Sequence, residues 1–264
     1  MKKLGILGVG KMGGSILKGI FNAKLYNTDE IIIYTPNIDH QQYYKNLNIE
    51  IALNEIDLFK KSQIIILAIK PQMFKEALKD INNLDFVNKY VISIAAGINI
   101  KTLEGYFKNA YVIRAMPNTP ALIQKATTTV CFNKQNMDKN IVLDIFNSIG
   151  QTIEVDEEKI DTAIPLNGSM PAYLYYFCKC FIEYSANYNI DYEMAKQLCV
   201  NSIIGSCNMI LQSKDSIDTL IDNVCSKKGA TLEGLQALYD NNFKESIEKC
   251  YKSCVNRTIE LSKE

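Results

Sequence analysis

Three glycines near the N-terminus constrain the fold of this chain more than any other feature. Gly8, Gly10 and Gly13 follow an apolar, strand-like run and open the pattern of an amphipathic helix. In such a turn the first glycine permits a sharp bend, the second lets the backbone approach a pyrophosphate, and the third lets the helix and strand pack closely. The helix N-terminus then offers N–H groups to the phosphates. We therefore predict that this turn, with Lys11 and Met12 inside it, binds a dinucleotide; a purely structural glycine turn is the alternative.

Short apolar runs alternate with amphipathic helical patterns throughout the first half of the chain. Seven runs rich in β-branched residues are predicted as strands: residues 3–7, 30–34, 63–69, 90–95, 110–116, 126–132 and 152–155. Strands that are apolar on both faces and alternate with helices indicate a parallel sheet covered on both sides. Residues 1–158 are therefore predicted to form a doubly wound, Rossmann-type α/β domain that binds the dinucleotide.

The pattern changes beyond about residue 158, where long helical segments replace the strand-like runs. Residues 159–264 are therefore predicted to form an all-helical second domain. One of its helices, PAYLYYFCKCFIEY, is apolar on nearly every face apart from Lys179 and Glu183. A helix that is apolar all round has to be buried all round, and in so small a domain a second subunit is the natural cover. A central helix within one chain is the alternative.

The composition disfavours several classes of protein. The 29 basic and 29 acidic residues cancel, which argues against nucleic acid and membranes as partners. No apolar stretch approaches the ~20 residues of a membrane span, and we predict a cytoplasmic protein that acts on a small molecule. The eight cysteines follow no CxxC spacing and His40 is the only histidine, so no metal site is expected.

The end of the second predicted strand bears on the choice between NADH and NADPH. A site dedicated to NAD usually has an Asp or Glu there for the ribose diol, whereas this chain has Thr35, Pro36 and Asn37. None of the three repels a 2′-phosphate, and the side chains of Thr35 and Asn37 could form hydrogen bonds with it. No arginine is nearby. The sequence therefore favours NADP(H) and leaves NAD(H) open.

Three further segments follow predicted strands, at the edge where ligands bind in open α/β sheets. They are LAIKP (67–71), IAAG (94–97) and RAMPNTP (114–120). Ala68 and the pair Ala95-Ala96 leave room for a ring against the backbone, and the side chain of Asn118 offers an amide donor and acceptor. Together the segments predict the floor of a nicotinamide site, although each segment alone could also be an ordinary loop.

Several motifs together resemble those of the pyrroline-5-carboxylate reductase family. They span nearly the whole chain: GVGKMGGSI, NEID, AIKPQ, SIAAGI, RAMPNTPA, NGSMPAYLY and VCSKKGATLEGLQAL. The combination of MPNTP with G-x-x-PAY is more specific than the glycine turn, which many dinucleotide-binding enzymes share. The resemblance implies an oxidoreductase that reduces L-1-pyrroline-5-carboxylate to L-proline, the last step of proline biosynthesis, with hydride from NAD(P)H.

The resemblance also implies which residues surround the cofactor. Asn54 is expected near the adenosine phosphate, and Asn223 is expected to reach the cofactor from the helical domain. The remaining residues are expected beside the nicotinamide half, and they are Ala68, Ile69, Lys70, Pro71, Ala95 and Ala96.

The segment SKKGAT matches the substrate segment of that family, which usually has the sequence Ser-Pro-Gly-Gly-Thr/Ala-Thr. By that match, backbone N–H groups around Ser226, Gly229 and Ala230 cradle the substrate carboxylate. The hydroxyl of Thr231 faces the imine nitrogen and is the one catalytic side chain. The residues themselves agree with this assignment, because a glycine step at a helix start exposes N–H donors to an anion.

Two positions depart from the family pattern. Lys227-Lys228 replaces the Pro-Gly pair of the substrate segment, and Met170 replaces the glycine before Pro171. Neither departure removes a side chain that the chemistry requires. The resemblance also implies a homodimer through the helical domain and leaves a higher oligomer of dimers open.

Two other functions remain as alternatives. A β-hydroxyacid dehydrogenase shares the two-domain build but needs a base for the hydroxyl proton, and Leu174 occupies the place of its lysine. A sensor that binds NADP without turnover would keep the glycine turn but would not need the anion step between Ser226 and Thr231. A cyclic imine is easily protonated, so hydride transfer to it requires orientation more than a strong acid. This chemistry favours the reductase.

Overall fold

The computed structural model describes residues 2–261. Within them the strands β1 to β8 are Lys2–Leu7, Ile31–Tyr34, Glu50–Ile51, Ser62–Leu67, Tyr90–Ser93, Tyr111–Met116, Ala126–Phe132 and Gly150–Glu154. The helices α1 to α12 are Lys11–Asn22, Ile38–Asn46, Glu55–Lys61, Phe74–Ala77, Ile100–Tyr106, Asn140–Asn147, Glu157–Thr162, Met170–Tyr184, Tyr192–Gln212, Ile217–Val224, Ala230–Asp240 and Phe243–Leu261.

The strands form one sheet in the order β3-β2-β1-β4-β5-β6-β7-β8. Its first six members run parallel, and their carboxyl ends lie level with one another. Leu7 pairs with both Tyr34 and Leu67, Leu67 pairs with Ser93, and Ser93 pairs with Arg114. The strand order reverses between β1 and β4, and in open α/β sheets ligands bind in the crevice at such a point.

The last two strands differ from the predicted parallel sheet. β7 runs antiparallel to β6, so the expectation of parallel pairing is wrong for that pair. β8 runs parallel to β7. Residues 117–125, which join β6 to β7, contain only the 3₁₀ helix Thr119–Ile123. A parallel connection needs a crossover of a dozen or more residues, usually a helix. The doubly wound α/β class is confirmed.

Both faces of the sheet are covered, as strands that are apolar on both sides require. In β2, Ile31 and Ile33 face the core that contains Ile16 of α1, whereas Ile32 faces the core that contains Phe59 of α3. All five side chains are fully buried. Burial of one such side chain stabilises the fold by roughly 1.5–3 kcal/mol, so the sheet and its two helical layers hold the strand ends firmly.

Contacts divide the chain into two compact units. One comprises the residues up to Pro171 together with the chain from Cys254 onward, and the other comprises Ala172–Ser253. Helix α7 belongs to the unit with the sheet, because its Ile160 is fully buried in a cluster with Met116 and Cys131. The domain boundary after residue 158 stays a prediction.

The second unit is built from helices, and many of its apolar side chains are exposed on the single chain. In α8, Tyr175 is 62% exposed, Tyr176 69% and Phe181 56%. The alternative that α8 is a central helix buried within one chain is therefore wrong. In the part of the chain that the structure describes, no helix combines the length and apolar character needed to cross a bilayer.

Candidate cofactor and substrate sites

The glycine turn between β1 and α1 is closely packed at two of its three glycines. Gly8 has a φ of +92°, and a Cβ there would lie 2.7 Å from the carbonyl oxygen of Ala68. A Cβ on Gly13 would lie 2.1 Å from the carbonyl oxygen of Gly8. A Cβ on Gly10 would instead meet nothing within 4 Å. The backbone at Gly10 is therefore open to a ligand, as a pyrophosphate site requires.

The first turn of α1 has free donors that face this opening. Gly10 is the N-cap, and no side chain caps the helix within the described chain. The N–H of Gly14 donates to the carbonyl oxygen of Gly10 at 2.8 Å, so the N–H groups of Lys11 and Met12 precede the first helical hydrogen bond. Unpaired N–H groups and the helix dipole both favour an anion at this position. The geometry fits the predicted pyrophosphate site.

The segments after β4 and β5 lie beside the glycine turn. The N–H of Ala68 donates to the carbonyl oxygen of Leu7 at 2.8 Å, and that of Ile94 donates to the carbonyl oxygen of Leu67 at 3.2 Å. Ala95 is buried and Ala96 is exposed. The structure therefore brings the predicted floor residues to the edge of the sheet that carries the glycine turn.

The predicted residues that follow Ala68 after β4 continue that floor. Ile69 is half-buried against Gly8, because a Cβ on that glycine would lie 3.0 Å from the Ile69 side chain. Lys70 is exposed, and Pro71 begins the short 3₁₀ helix Pro71–Met73. Proline at this position fixes the direction of the chain as it leaves β4.

Thr35 and Asn37, predicted to meet a 2′-phosphate, are already engaged with the backbone. Thr35 is 5% exposed, and its Oγ1 accepts a hydrogen bond from the N–H of Asn37 at 3.3 Å. Asn37 caps α2 by accepting from the N–H of His40 at 2.9 Å. Asn54 caps α3 in the same way, with the N–H of Asp57 at 2.9 Å. Thr35 therefore stabilises the turn, and the Nδ2 groups of the two asparagines form no hydrogen bond among those described.

Asn118 uses both ends of its amide inside the protein. Its Nδ2 donates to the carbonyl oxygen of Asn167 at 3.0 Å, and its Oδ1 accepts from the N–H of Thr127 at 3.0 Å. Asn167, which the sequence analysis missed, donates its own Nδ2 to the carbonyl oxygen of Met116 at 2.9 Å. Both asparagines are more than nine-tenths buried. The geometry supports a role for Asn118 in holding the loop after β6 and does not support contact with the cofactor.

The sequence analysis also missed a buried ionic cluster at the end of β6. Arg114 is 2% exposed and forms ion pairs with Glu157 at 3.2 Å and Asp161 at 2.8 Å, both on α7. A signal was available, because an arginine inside the apolar run AYVIRAM has to find charged partners when the strand is buried. The sequence does not identify those partners.

The substrate segment forms a tight turn before α11. The N–H of Gly229 donates to the carbonyl oxygen of Ser226 at 2.9 Å, and a Cβ on Gly229 would lie 2.3 Å from the Ser226 hydroxyl. Lys228 has a φ of +60°, whereas Lys227 does not have a positive φ. This pattern is that of a type II turn, which favours proline and then glycine at its two central positions. Lys227-Lys228 therefore forms the turn that a Pro-Gly pair favours, with Lys228 in the left-handed conformation.

Two predicted site residues of the helical unit share one cavity. Thr231 and Asn223 line a space of about 400 Å³. The other lining residues are mostly apolar, and include Met209, Ile217, Leu220, Val224 and Leu235. Ala230 is the first residue of α11, and its N-cap Gly229 provides no side-chain hydrogen bond. The N–H groups at the start of α11, which can bind an anion, and the hydroxyl of Thr231 thus lie within one helical turn.

No candidate metal site is found among the described residues. Between residues 2 and 261, no three His, Cys, Asp or Glu side chains form a group that could hold a metal ion. The expectation that the site uses no metal stays a prediction.

Alanine at Gly10 and at Gly13 should have opposite consequences. Gly13→Ala should lower the melting temperature, because its Cβ collides with the Gly8 carbonyl oxygen. Gly10→Ala should leave the melting temperature unchanged, since its Cβ has open space, but it should weaken NADPH binding about tenfold or more, or ~1.4 kcal/mol. Thermal unfolding and NADPH fluorescence titration measure the two effects. Normal NADPH affinity in Gly10→Ala would contradict the predicted pyrophosphate site.

Glycine at Lys228 and at Lys227 should shift stability in opposite directions. A left-handed lysine costs about 1–2 kcal/mol, whereas glycine costs roughly 0.5–1 kcal/mol in chain entropy. Lys228→Gly should therefore raise the free energy of unfolding by roughly 0.5–1 kcal/mol. Lys227→Gly removes no strain and should lower it. Denaturant unfolding measures the free energy of unfolding of both variants. A decrease for Lys228→Gly as well as for Lys227→Gly would show that Lys228 is not strained.

Two family models match the chain. Residues 157–261 match the model described as pyrroline-5-carboxylate reductase dimerisation. Residues 3–97 match the model described as NADP oxidoreductase coenzyme F420-dependent. The two matches divide the chain into an N-terminal α/β region and a helical region, as the sequence pattern predicts.

Whole-length relatives agree with the family models. The pyrroline-5-carboxylate reductase of Pasteurella multocida is 30% identical over 99% of this chain and 98% of its own length. That of Escherichia coli is 29% identical over 99% of both chains. A crystal structure of Plasmodium falciparum pyrroline carboxylate reductase with NADP bound is 30% identical, with a TM-score of 0.88 over 99% of this chain and 98% of that one. The resemblance predicted from the motifs is confirmed, and the chain belongs to the pyrroline-5-carboxylate reductase family.

Proposed function

We propose that this chain reduces L-1-pyrroline-5-carboxylate to L-proline, with NADPH as the preferred hydride donor and NADH as a second one. The observation that carries the proposal is the substrate segment in the helical unit. Its Ser226–Gly229 turn leads into α11, and Thr231 in the first turn of that helix lines a cavity. A protein that only sensed the cofactor would not need these groups. The open backbone at Gly10 provides the matching place for a dinucleotide.

The residues of this chain can bind and orient a cyclic imine. The N–H of Gly229 closes the turn on the carbonyl oxygen of Ser226, so in this proposal the N–H groups of Ala230 and Thr231, which have no acceptor among the described hydrogen bonds, hold the substrate carboxylate. The hydroxyl of Thr231 forms a hydrogen bond at the imine nitrogen. Bound NADPH supplies the hydride to the imine carbon, while the nitrogen carries a proton taken from water. Orientation is the main contribution, because a protonated imine is already electrophilic.

The cofactor residues in this proposal lie at the carboxyl edge of the sheet. The pyrophosphate lies at the glycine turn and the start of α1, which includes Lys11 and Met12. The Nδ2 groups of Asn37 and Asn54 donate to the phosphate of the adenosine half. The backbone of Ala68 and that of Ala95-Ala96 flank the nicotinamide. The NADP in the Plasmodium falciparum relative supports this choice of cofactor.

The helical region forms a homodimer in this proposal. The match to a dimerisation model over residues 157–261 supports it, and so do the exposed aromatic side chains of α8. Phe181 is 56% exposed and Phe177 36%, and their ring centroids lie 4.9 Å apart, so they form an exposed apolar patch of the kind that marks an interaction site. A second copy of the chain would cover it. Assembly into a higher oligomer and a cytoplasmic location stay predictions from the sequence.

The activity has a direct assay. The purified chain should oxidise NADPH in the presence of pyrroline-5-carboxylate and more slowly with NADH, because Thr35, Pro36 and Asn37 directly after β2 include no acidic residue to select the ribose diol. The absorbance of the reduced nicotinamide measures both rates. A β-hydroxy acid with NADP⁺ is the control for the alternative dehydrogenase. No oxidation of NADPH that depends on pyrroline-5-carboxylate would contradict the proposal.

Thr231→Val removes the hydroxyl at the imine nitrogen while nearly keeping the volume of the side chain. If that hydrogen bond strengthens in the transition state, both kcat and kcat/KM should fall. The loss should be on the order of 10–10³-fold, the scale of one positioned polar group. Thr231→Ser is the matched control, because it keeps the hydroxyl and should keep most of the activity. Unchanged kinetics in Thr231→Val would remove this residue from the mechanism.

A further inference from the structure

We propose that Glu157 is a positioning residue for the nicotinamide half of the cofactor, acting through the loop between β5 and α5. This loop, residues 94–99, carries Ala95 and Ala96. The inference rests on the proposed function, since it assumes that these two alanines flank the nicotinamide. Glu157 lies on α7, outside every segment that carries the family motifs, and it is not a catalytic residue.

Glu157 is one of two carboxylates that hold a buried arginine. The side chain of Arg114 is 3% exposed, and its Nη1 and Nη2 lie 3.2 Å from Glu157 Oε1 and 2.8 Å from Asp161 Oδ1. Burial raises the pKa of the neighbouring Cys131 thiol to about 11, so this group stays neutral and adds no charge. The arginine at the end of β6 thereby fixes where the Glu157 carboxylate lies.

The same carboxylate oxygen also holds the far end of the loop. The N–H of Ile100, the first residue of α5, donates to Glu157 Oε1 at 2.6 Å. Hydrogen bonds to an ionised acceptor are roughly twice as strong as neutral ones. Glu157 Oε1 therefore connects three elements: the end of β6 through Arg114, the start of α5 through Ile100, and its own helix α7.

The other hydrogen bonds of the loop lie at its beginning or within α5, and the side chain of Ile98 packs against the apolar core. The N–H of Ile94 donates to Leu67 at 3.2 Å, and that of Ala95 donates to the Ser93 hydroxyl at 3.3 Å. Asn99 caps α5 locally, with the N–H of Thr102 at 2.7 Å. Between these ends Gly97 has a φ of +77°. Among the hydrogen bonds of the described chain, the bond to Glu157 ties the far end of this loop to the rest of the sheet unit.

Asp161 provides a matched control on the same helix. It pairs with the same arginine, and its side chain is 22% exposed against 36% for Glu157. Its carboxylate has no hydrogen bond to Ile100 among those described. Loss of Asp161 therefore removes an ion pair of the same kind and leaves the loop contact in place. A purely structural role of the cluster predicts equal effects of the two residues.

The test compares Glu157→Ala, Glu157→Gln and Asp161→Ala in the full chain. The dissociation constant for NADPH is measured by NADPH fluorescence without substrate, and the melting temperature is measured beside it. Glu157→Ala should raise the dissociation constant and the KM for NADPH about tenfold and lower kcat, because a small misplacement of a reacting ring is costly. Asp161→Ala should lower the melting temperature but change both constants less than about twofold. Glu157→Gln should restore most of the affinity, since its Oε1 still accepts from Ile100.

Ile100→Pro tests the same link from the loop and needs no change in the ion pairs. Proline is favoured at the first position of a helix, and Asn99, with φ −83° and ψ 165°, already has the extended conformation that precedes proline. The isoleucine side chain packs against two apolar clusters of the sheet unit, so Ile100→Ala, which keeps the N–H, is the control for its loss. The proline variant removes that side chain and the N–H donor together. It should raise the dissociation constant for NADPH as Glu157→Ala does, and it decides the matter if Glu157→Ala does not fold.

Three results would overturn the inference. They are equal effects of Glu157→Ala and Asp161→Ala on NADPH affinity, no recovery in Glu157→Gln, or unchanged affinity in Ile100→Pro. Failure of the proposed function has a different signature, namely a wild-type chain that binds NADPH but does not oxidise it with pyrroline-5-carboxylate. The binding comparison among the variants would still decide the role of Glu157 in that case.

Discussion

The close approach of α1 to the end of β1 determines where the first turn of the helix lies at the carboxyl edge of the sheet. A Cβ at Gly13 would reach the carbonyl oxygen of Gly8 at 2.1 Å, so the helix can begin this near the strand only because residue 13 is glycine. Since the carboxyl ends of β2, β1, β4 and β5 are level, the segments that follow them meet at that helix start. The position of the predicted cofactor site thus follows from the register of the strands, and it depends more on the backbone than on the side chains.

Polar side chains at this edge chiefly satisfy the backbone. Thr35, Asn37 and Asn118 were predicted to contact a cofactor from their residue types and positions, and Asn54 was predicted to do so from the family resemblance. In the structure each accepts a hydrogen bond from a backbone N–H close by. Caps of this kind typically contribute about 1 kcal/mol each. A short polar side chain after a strand can therefore either bind a ligand or satisfy a backbone N–H, and the sequence does not distinguish these two roles.

The elements that depend on local periodicity could be predicted from the sequence, and those that depend on distant partners could not. The apolar runs located seven of the strands because buried parallel strands are apolar on both faces. Strand β3, Glu50–Ile51, is too short to produce a run. The antiparallel turn into β7 depends on the length of one loop. The ion pair between Arg114 and Glu157 joins residues far apart in the chain, and no spacing rule connects them.

Glycine is the N-cap of the two helices whose first turns the proposal places against the pyrophosphate and the substrate carboxylate. Helices α2, α3, α5, α9 and α10 begin with Asn, Asp or Ser, whose side chains bond to N–H groups of the first turn. Among the N-caps assigned in the described chain, glycine occurs at α1 and α11, where Gly10 and Gly229 leave that turn without a side-chain acceptor. An uncapped turn costs stability unless another acceptor satisfies it. A pyrophosphate at α1 and a carboxylate at α11 are acceptors of the required charge. The two glycine N-caps therefore work in the same way: each leaves the N–H groups of a first helical turn without a side-chain acceptor.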